Sequence, residues 1–295
     1  MLTHALWTEI SDRITRVTGR PFTLKDRRSV GGGSINQAYH IVDGGQQYFL
    51  KVNQAIHIGM FEAEALGLAE MAQTQTILVP RPLCWGTAAG AAYIVMDWLE
   101  LGQGSPETWY RMGQQLAALH RTTHGCGFGW QQNNTIGETP QPNPWTETWL
   151  EFYVQHRLRY QLRLAQRRGG HFPHQGALLD AVPGLLAGHG VKPALVHGDL
   201  WSGNAAVTEA GEPVILDPAT YYGDREVDIA MTELFGRFPQ PFYEGYNAAF
   251  PLEAGYGTRK TLYNLYHILN HFNLFGGGYG AQANRMIDQL LSVSR

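Results

Sequence analysis

The chain has 295 residues, 44% of them hydrophobic, and a formal net charge of −3 from 22 Lys+Arg against 25 Asp+Glu. That is long enough to bury a sizeable core in one large domain or two lobes, and too close to neutral for the basic stripe a nucleic-acid binder needs. Cys84 and Cys126 lie far apart and in no C-x-x-C pattern, which argues against a disulfide scaffold and fits a reducing compartment. The opening MLTHALWTEISDRI has no basic stretch followed by an apolar run, so no signal peptide is expected. No segment approaches the ~18 apolar residues of a membrane span, and a soluble, cytoplasmic protein is the expectation.

Leu6, Ile10, Ile14 and Val17 recur at helical spacing, and Gly19 with Pro21 ends that pattern. A β-rich stretch follows. Ser29 to Gly33 is a Gly-rich turn, Gln37 to Val42 reads as a strand, Asp43-Gly44-Gly45 is a hairpin signal, and Gln47 to Val52 is the return strand. Met60 to Ala72 is rich in Ala, Glu, Leu and Met and predicts a helix. Val79-Pro80-Arg81-Pro82 breaks it, and Ala91 to Met96 reads as a buried strand. Gly102 to Pro106 is the best domain boundary, giving lobes 1–101 and 102–295. Beyond it the pattern is mostly helical: Glu107 to His120, Trp145 to Arg168 as one or two helices, Thr261 to Phe272, and Asn284 to Leu291. The basic stretch from Arg157 to Arg168 reads as one face of an amphipathic helix. A short β-type segment, Leu195 to Asp217, interrupts the helices.

That segment carries the strongest chemical signal, Val196-His197-Gly198-Asp199-Leu200-Trp201-Ser202-Gly203-Asn204. An Asp followed five residues later by Asn is the catalytic-loop pattern of kinases. Asp199 would accept a hydroxyl proton while Asn204 holds a Mg²⁺ that bridges phosphate oxygens. Ile215-Leu216-Asp217-Pro218 then supplies a second carboxylate for the metal, since a hard cation takes oxygen ligands. Upstream, Gly31-Gly32-Gly33-Ser34-Ile35-Asn36 could bring backbone N–H groups against phosphates, although a Gly-rich hairpin turn accounts for it equally well. Lys51 on the following strand would pair with phosphates, with Glu64 or Glu62 as its helix partner and Glu64 favoured. Asp97, Trp98 and Leu99 would face adenine from the end of the apolar strand. Asp228 is expected to brace the catalytic loop. The pairs His120/His124 and His267/His271 lack a third zinc ligand and are read as packed helix histidines.

The order of these pieces resembles the fructosamine/ketosamine-3-kinase family, relatives of aminoglycoside phosphotransferases and choline kinases. The resemblance rests on Gly31–Asn36, FLKVN, MFEAEALGL, VPRPL, VHGDLWSGN, DPATYYGDREVDIAM and LYNLYHILNHFNLFGGGY, and spans nearly the whole chain. It implies an α+β, two-lobed protein-kinase-like fold, with a small β-rich N-lobe and a larger helical C-lobe. It also implies ATP and Mg²⁺ as cofactors, and phosphorylation of the 3-hydroxyl of ketosamines on amines or protein lysines. Under it Asp199 is the base, Asn204 and Asp217 hold the metal, and Gly31, Gly32, Gly33, Ser34, Asn36, Lys51 and Glu64 serve the nucleotide. Trp201, Tyr222 and His267 are candidate substrate residues, and Tyr221, Tyr263, Tyr266, Asn270 and Asn273 form an aromatic, amide-rich segment suited to a neutral polyol. Ser34 stands where some members carry a Cys, so a thiol switch there is not expected. Gly198 stands where protein kinases carry Arg, and ten residues between Asp217 and Asp228 leave no room for a long activation loop. The partner is a ketosamine, with no nucleic acid, no membrane, and a monomer favoured. The competing readings are an aminoglycoside- or choline-type kinase and a nucleotide-sensing pseudokinase.

Overall fold

The computed structural model describes residues 3–31 and 35–293. In chain order it runs α1 (His4–Thr18), β1 (Asp26–Ser29), β2 (Gln37–Val42), β3 (Gln47–Gln54), α2 (Ile58–Thr74), β4 (Pro82–Ala88), β5 (Ala91–Asp97) and β6 (Leu101–Gly102). Then follow α3 (Pro106–Leu119), β7 (Asn134–Ile136), β8 (Thr139–Gln141), α4 (Trp149–Phe152), α5 (Arg159–Arg167), α6 (Gln175–Leu185), β9 (Ala194–Val196), β10 (Ala205–Thr208) and β11 (Pro213–Ile215). The chain finishes with β12 (Tyr221–Gly223), α7 (Glu226–Thr232), α8 (Gln240–Ala249), α9 (Tyr256–Phe275) and α10 (Tyr279–Val293).

Two compact units form: Met1–Ser105 with Ala205–Asp217, and Pro106–Asn204 with Pro218–Arg295. The sequence reading divides the chain after residue 101 and keeps everything beyond in one lobe. The structure parts it at Ser105 and returns 205–217 to the first unit. Strand pairing is the reason. β10 pairs antiparallel with both β11 and β6, and the Ile215 N–H donates to the Leu78 carbonyl at 3.1 Å.

In the first unit a five-stranded sheet runs β1-β2-β3-β5-β4, with its neighbours antiparallel. Thr3 caps α1 by accepting the Leu6 N–H, and Gly19 at φ 68° ends it. Leu6, Ile10 and Ile14 are buried as expected, whereas Val17 lies off the stripe at 46% exposure. They pack with Ile41, Leu50, Val52, Tyr93 and Val95 from alternate strand positions, so α1 seals one face of the sheet. Lys51 lies between Leu50 and Val52 and therefore projects to the opposite face. The Asp43 turn closes as read: its Oδ1 accepts the N–H groups of Gly45 and Gln46 at 2.8 and 2.6 Å.

In the second unit α9 is buried on nearly every side from Leu262 to Asn270, which makes it the central helix of that core. The helix predicted over 145–168 begins at α4, passes through a π-helical turn at Tyr153–Leu158, and continues as α5. Helices α6 and α8, and the β7–β8 hairpin, were not expected. Helix α3 crosses α8 through paired glycines. A Cβ on Gly113 would lie 2.1 Å from the Phe242 carbonyl oxygen, and one on Gly245 would lie 1.9 Å from that of Tyr110. Gly245→Ala should therefore cost ~3 kcal/mol, since backbone on both helices must shift. Gly176→Ala in α6 meets open space and should be neutral or stabilising by up to ~1 kcal/mol. Urea midpoints of the two variants against wild type check this.

Candidate active site

In the first unit, Lys51 Nζ lies 2.7 Å from Glu64 Oε1 and 2.6 Å from Asp217 Oδ1. Its side chain is 9% exposed, Glu64's is 6% and Asp217's is 55%. Glu62, the alternative partner, is exposed. Burial pulls the Lys51 ammonium down, but Asp217 and Glu64 outweigh it and hold its pKa above the ordinary value. Burial pushes Glu64 up, with Lys51 opposing. Asp217 adopts φ 58°, a left-handed conformation uncommon outside glycine, just before Pro218.

Of the Gly-rich segment, Gly31 is exposed, while Gly32, Gly33 and Ser34 lie outside the described residues. Asn36 Oδ1 accepts a 2.8 Å hydrogen bond from Asn53 Nδ2, which ties the end of that segment to β3 two residues beyond Lys51. At the end of β5, the Asp97 N–H donates to the Arg81 carbonyl, and its carboxylate meets Arg81 Nε at 2.9 Å. Trp98 stacks on His40 at 3.8 Å and donates from Nε1 to Glu100 at 2.7 Å. Leu99 is half-buried.

In the second unit the loop from His197 to Asn204 hangs from Asp228. Oδ2 accepts the His197 N–H at 2.7 Å, Oδ1 accepts the Gly198 N–H at 2.8 Å, and His120 Nε2 lies 3.0 Å from Oδ2. Burial would raise the Asp228 pKa, but His120, His197 and the Gly198 N–H hold it below the usual carboxylate range. Asp199 is half-buried, and its N–H donates to His197 Nδ1 at 3.2 Å. Asn204 Nδ2 donates to the Asp199 carbonyl at 2.8 Å. That bond uses the amide nitrogen, so the Asn204 oxygen is the atom a hard cation would take. Asp217, in the first unit, offers carboxylate oxygens, and each of these two residues is thus by itself an oxygen donor of the kind Mg²⁺ takes. His120, set aside as a zinc ligand, proves to be a partner of the bracing carboxylate. The signal available was that a buried Asp needs a donor.

A family model for fructosamine kinase matches residues 6–293. The chain belongs to the fructosamine kinase family. It is 60% identical to a probable ketoamine kinase of Synechocystis over 98% of both chains. It is 44% identical to a chloroplastic protein-ribulosamine 3-kinase of Arabidopsis thaliana, over 90% of this chain and 82% of that one. A solved fructosamine-3-kinase assignment from Haemophilus somnus superposes with TM-score 0.91 at 30% identity, covering 97% of each chain. A choline kinase of Streptococcus pneumoniae (TM-score 0.62, 15% identity) shares the fold, which is therefore kinase-like.

The expected substrate residues are placed less favourably. Tyr222 is 4% exposed on β12, its ring beside His124 and Trp145. His267 is 4% exposed, and burial first, then His271, push its pKa down to about 3. Tyr263 donates to Asp224, Tyr266 to Gln141 Oε1 at 2.6 Å, Asn270 to the Ile136 carbonyl and Asn273 to Gln161, while Tyr221 lies under Arg157. These hydroxyls and amide nitrogens bond to groups on other segments of the same unit, while His267 Nδ1 and Asn273 Oδ1 are buried without a hydrogen-bond partner among the described residues. Trp201 is half-buried and folds over its own loop: a Cβ on Gly203 would lie 2.3 Å from the indole.

Four residues before Asp228, Asp224 enters a second ionic cluster. His189 Nε2 lies 2.7 Å from Asp224 and Nδ1 lies 2.7 Å from Glu253, while Glu226 takes Arg259 at 2.7 and 2.9 Å. Burial lowers the His189 pKa, and the bonds to Asp224 and Glu253 outweigh it, raising it from 6.5 to about 8. A raised cationic group stabilises the fold fully below its unfolded pKa and loses that contribution as pH climbs through the folded one. His189→Gln should therefore be less stable than wild type by about 1 kcal/mol at pH 6, after screening at a partly exposed site, with the gap closing by pH 9. Urea unfolding at the two pH values measures it, and an equal gap at both would contradict the assignment.

Proposed function

We propose that this chain uses ATP and Mg²⁺ to phosphorylate the 3-hydroxyl of ketosamines such as ribulosamine, erythrulosamine or fructosamine adducts of amines and protein lysines. The observation that carries the reading is the Lys51 ammonium held between Glu64 and Asp217. The names of the relatives, ketoamine kinase and protein-ribulosamine 3-kinase, support the acceptor class. A degenerate pseudokinase commonly loses the Lys, the base or the metal Asp, and all three are present here. The location is proposed to be cytoplasmic; no helix among the described residues is long and apolar enough to cross a membrane.

The roles follow from charge. Lys51 orients phosphate oxygens, with Glu64 fixing its side chain along β3. Asp217 and Asn204 would hold the metal, which would supply charge neutralisation for phosphoryl transfer. Asp199 accepts the proton of the sugar hydroxyl, its backbone fixed by His197 and Asn204. The backbone around Asp97, Trp98 and Leu99 would meet adenine, and Gly31, Gly32, Gly33, Ser34 and Asn36 would keep the phosphate-binding role expected from sequence. Trp201 presents its indole to the sugar. A phosphate on the 3-hydroxyl destabilises the adduct and releases the amine, which makes the activity a deglycation step.

Asp199→Asn should keep nucleotide binding and lose ~10²–10⁴-fold in kcat, because proton acceptance acts in the transition state. Steady-state kinetics on a lysine-linked ribulosamine reads this, and near wild-type kcat would remove Asp199 from the role. Asp217→Ala should abolish Mg²⁺-dependent turnover, and Asn204→Ala should raise the Mg²⁺ concentration at half-maximal rate. Identical Mg²⁺ titrations for wild type and both variants would sink the metal assignment. For the acceptor, NMR of the product should place phosphate on the 3-hydroxyl. Choline or an aminoglycoside outcompeting every ketosamine would overturn the substrate class and leave the kinase standing.

A further inference from the structure

Behind the catalytic loop, in the second unit, lies a buried polar chain that the proposed chemistry does not use. It starts at Arg157, which is 0% exposed and sits in the π-helical turn. Its Nη1 donates to the Pro142 carbonyl at 2.7 Å and its Nη2 to Asn143 Oδ1 at 2.7 Å, and the guanidinium lies over Phe152 and Tyr221 at 4.4 and 4.2 Å. These partners are neutral. Asn143 Nδ2 donates to Asn134 Oδ1 at 2.9 Å, and Gln141 Nε2 donates to the same oxygen at 2.8 Å. The chain then ends on backbone. Asn134 Nδ2 donates to the Thr220 carbonyl at 2.8 Å and Gln141 Nε2 to the Ala219 carbonyl at 3.1 Å, while Tyr266 donates to Gln141 Oε1 at 2.6 Å. Asn134, Gln141 and Asn143 are 8%, 1% and 1% exposed.

Ala219 and Thr220 are where this chain meets the catalytic loop. The Ala219 N–H donates to the His197 carbonyl at 2.8 Å, and a Cβ on Gly198 would lie 2.2 Å from the Ala219 oxygen. Ala219 is thus held at its carbonyl by Gln141, while its N–H holds the carbonyl of His197, two residues before Asp199. We infer that Gln141 is a positioning residue for the catalytic loop, with Asn134, Asn143 and Arg157 as its backing.

Physical cost favours this over a packing role. A buried guanidinium and three buried amides stabilise a fold less than apolar residues of the same volume would, so what they add is a fixed geometry. Each of the four side chains makes at least one directional bond, with Arg157 Nε left without a partner among the described residues, and Ala219 is fixed through both its carbonyl and its N–H. Displacement of a reacting group by about 1 Å costs on the order of a hundredfold in rate.

The inference rests on the kinase reading, so wild-type turnover on a ketosamine is established first, and its absence would count against that reading alone. Gln141→Ala and Tyr266→Phe are then compared with wild type by steady-state kinetics and by amide hydrogen exchange of residues 194–204 and of α10. Gln141→Ala should lower kcat by about tenfold or more with KM for ATP within about twofold, and should speed exchange at 194–204 while leaving α10 unchanged. Tyr266→Phe, which removes the hydroxyl bonded to Gln141 Oε1 and lying beside Gln161, should lose about threefold with the same pattern. A folded Gln141→Ala with kcat within about twofold of wild type and unchanged loop exchange overturns the inference. So does faster exchange spread equally over α10, which marks a merely structural role. If Gln141→Ala does not fold, the Tyr266→Phe result decides on the same criteria.

Discussion

A carboxylate taken out of water must be met by donors, and Asp228 is met by two backbone N–H groups and a histidine. Those two N–H groups belong to His197 and Gly198, so the start of the catalytic loop has one position in which the Asp228 charge is satisfied. Everything downstream inherits that position. The Asp199 N–H turns back to His197 Nδ1, and Asn204 closes the loop onto the Asp199 carbonyl. The same constraint explains why the residue before the base is glycine. Gly198 adopts φ 82°, and its missing Cβ makes room for the Ala219 carbonyl, so the Arg of protein kinases could not stand there.

The first unit solves a different electrostatic problem. Lys51 is buried with two carboxylates within hydrogen-bond distance, a cluster whose formal charge is one negative when all three are ionised. Glu64 is buried and permanently engaged, while Asp217 is more than half exposed. The surplus negative charge therefore sits on the more exposed partner, where the divalent cation of the proposed function would add without any new desolvation of Glu64. The left-handed backbone of Asp217 turns its carboxylate immediately before Pro218 ends the segment. Residues 205–217 accordingly fold with β6 and Leu78 of the first unit and not with the helices that flank them in sequence.

Where local chemistry dictates structure, the sequence is readable. Asp43-Gly44-Gly45 forms its turn because an Asp side chain can take two following N–H groups, and Gly19 ends α1 because only glycine sits easily at that φ. Lys51 and Glu64 are legible from their elements, and Asp228 from its place at a helix start. What is not legible depends on tertiary pairing. Pro183 lies inside α6 and masks it, and Pro140 and Pro142 disguise the β7–β8 hairpin. The sequence reading places the boundary after residue 101, and what local pattern cannot show is that β10 pairs with β6, far earlier in the chain, which brings 205–217 into the first unit. Tyr263, Tyr266, Asn270 and Asn273 look like a sugar surface in composition. Composition carries no direction, and α9 is so deeply buried that these residues turn to groups on neighbouring segments, Asp224, Gln141, the Ile136 carbonyl and Gln161.

That inward turn has a consequence for how the proposed acceptor is recognised. With the α9 tyrosines and amides committed to the core, and Tyr222 and His267 each 4% exposed, the polyol cannot be read mainly from that helix. The half-exposed groups on the loop itself, Asp199 and Trp201, remain to meet it. Trp201 is locked over Gly203, and Asn204 is bonded to Asp199. Under the proposed function the six-residue loop from Asp199 to Asn204 would carry the base, a metal ligand and the ring facing the sugar together. On that proposal binding and catalysis would share a single geometric constraint, so a change that tilts the loop should disturb acceptor recognition and proton transfer together, while the Lys51 cluster, built within the other unit, should keep its hold on the nucleotide.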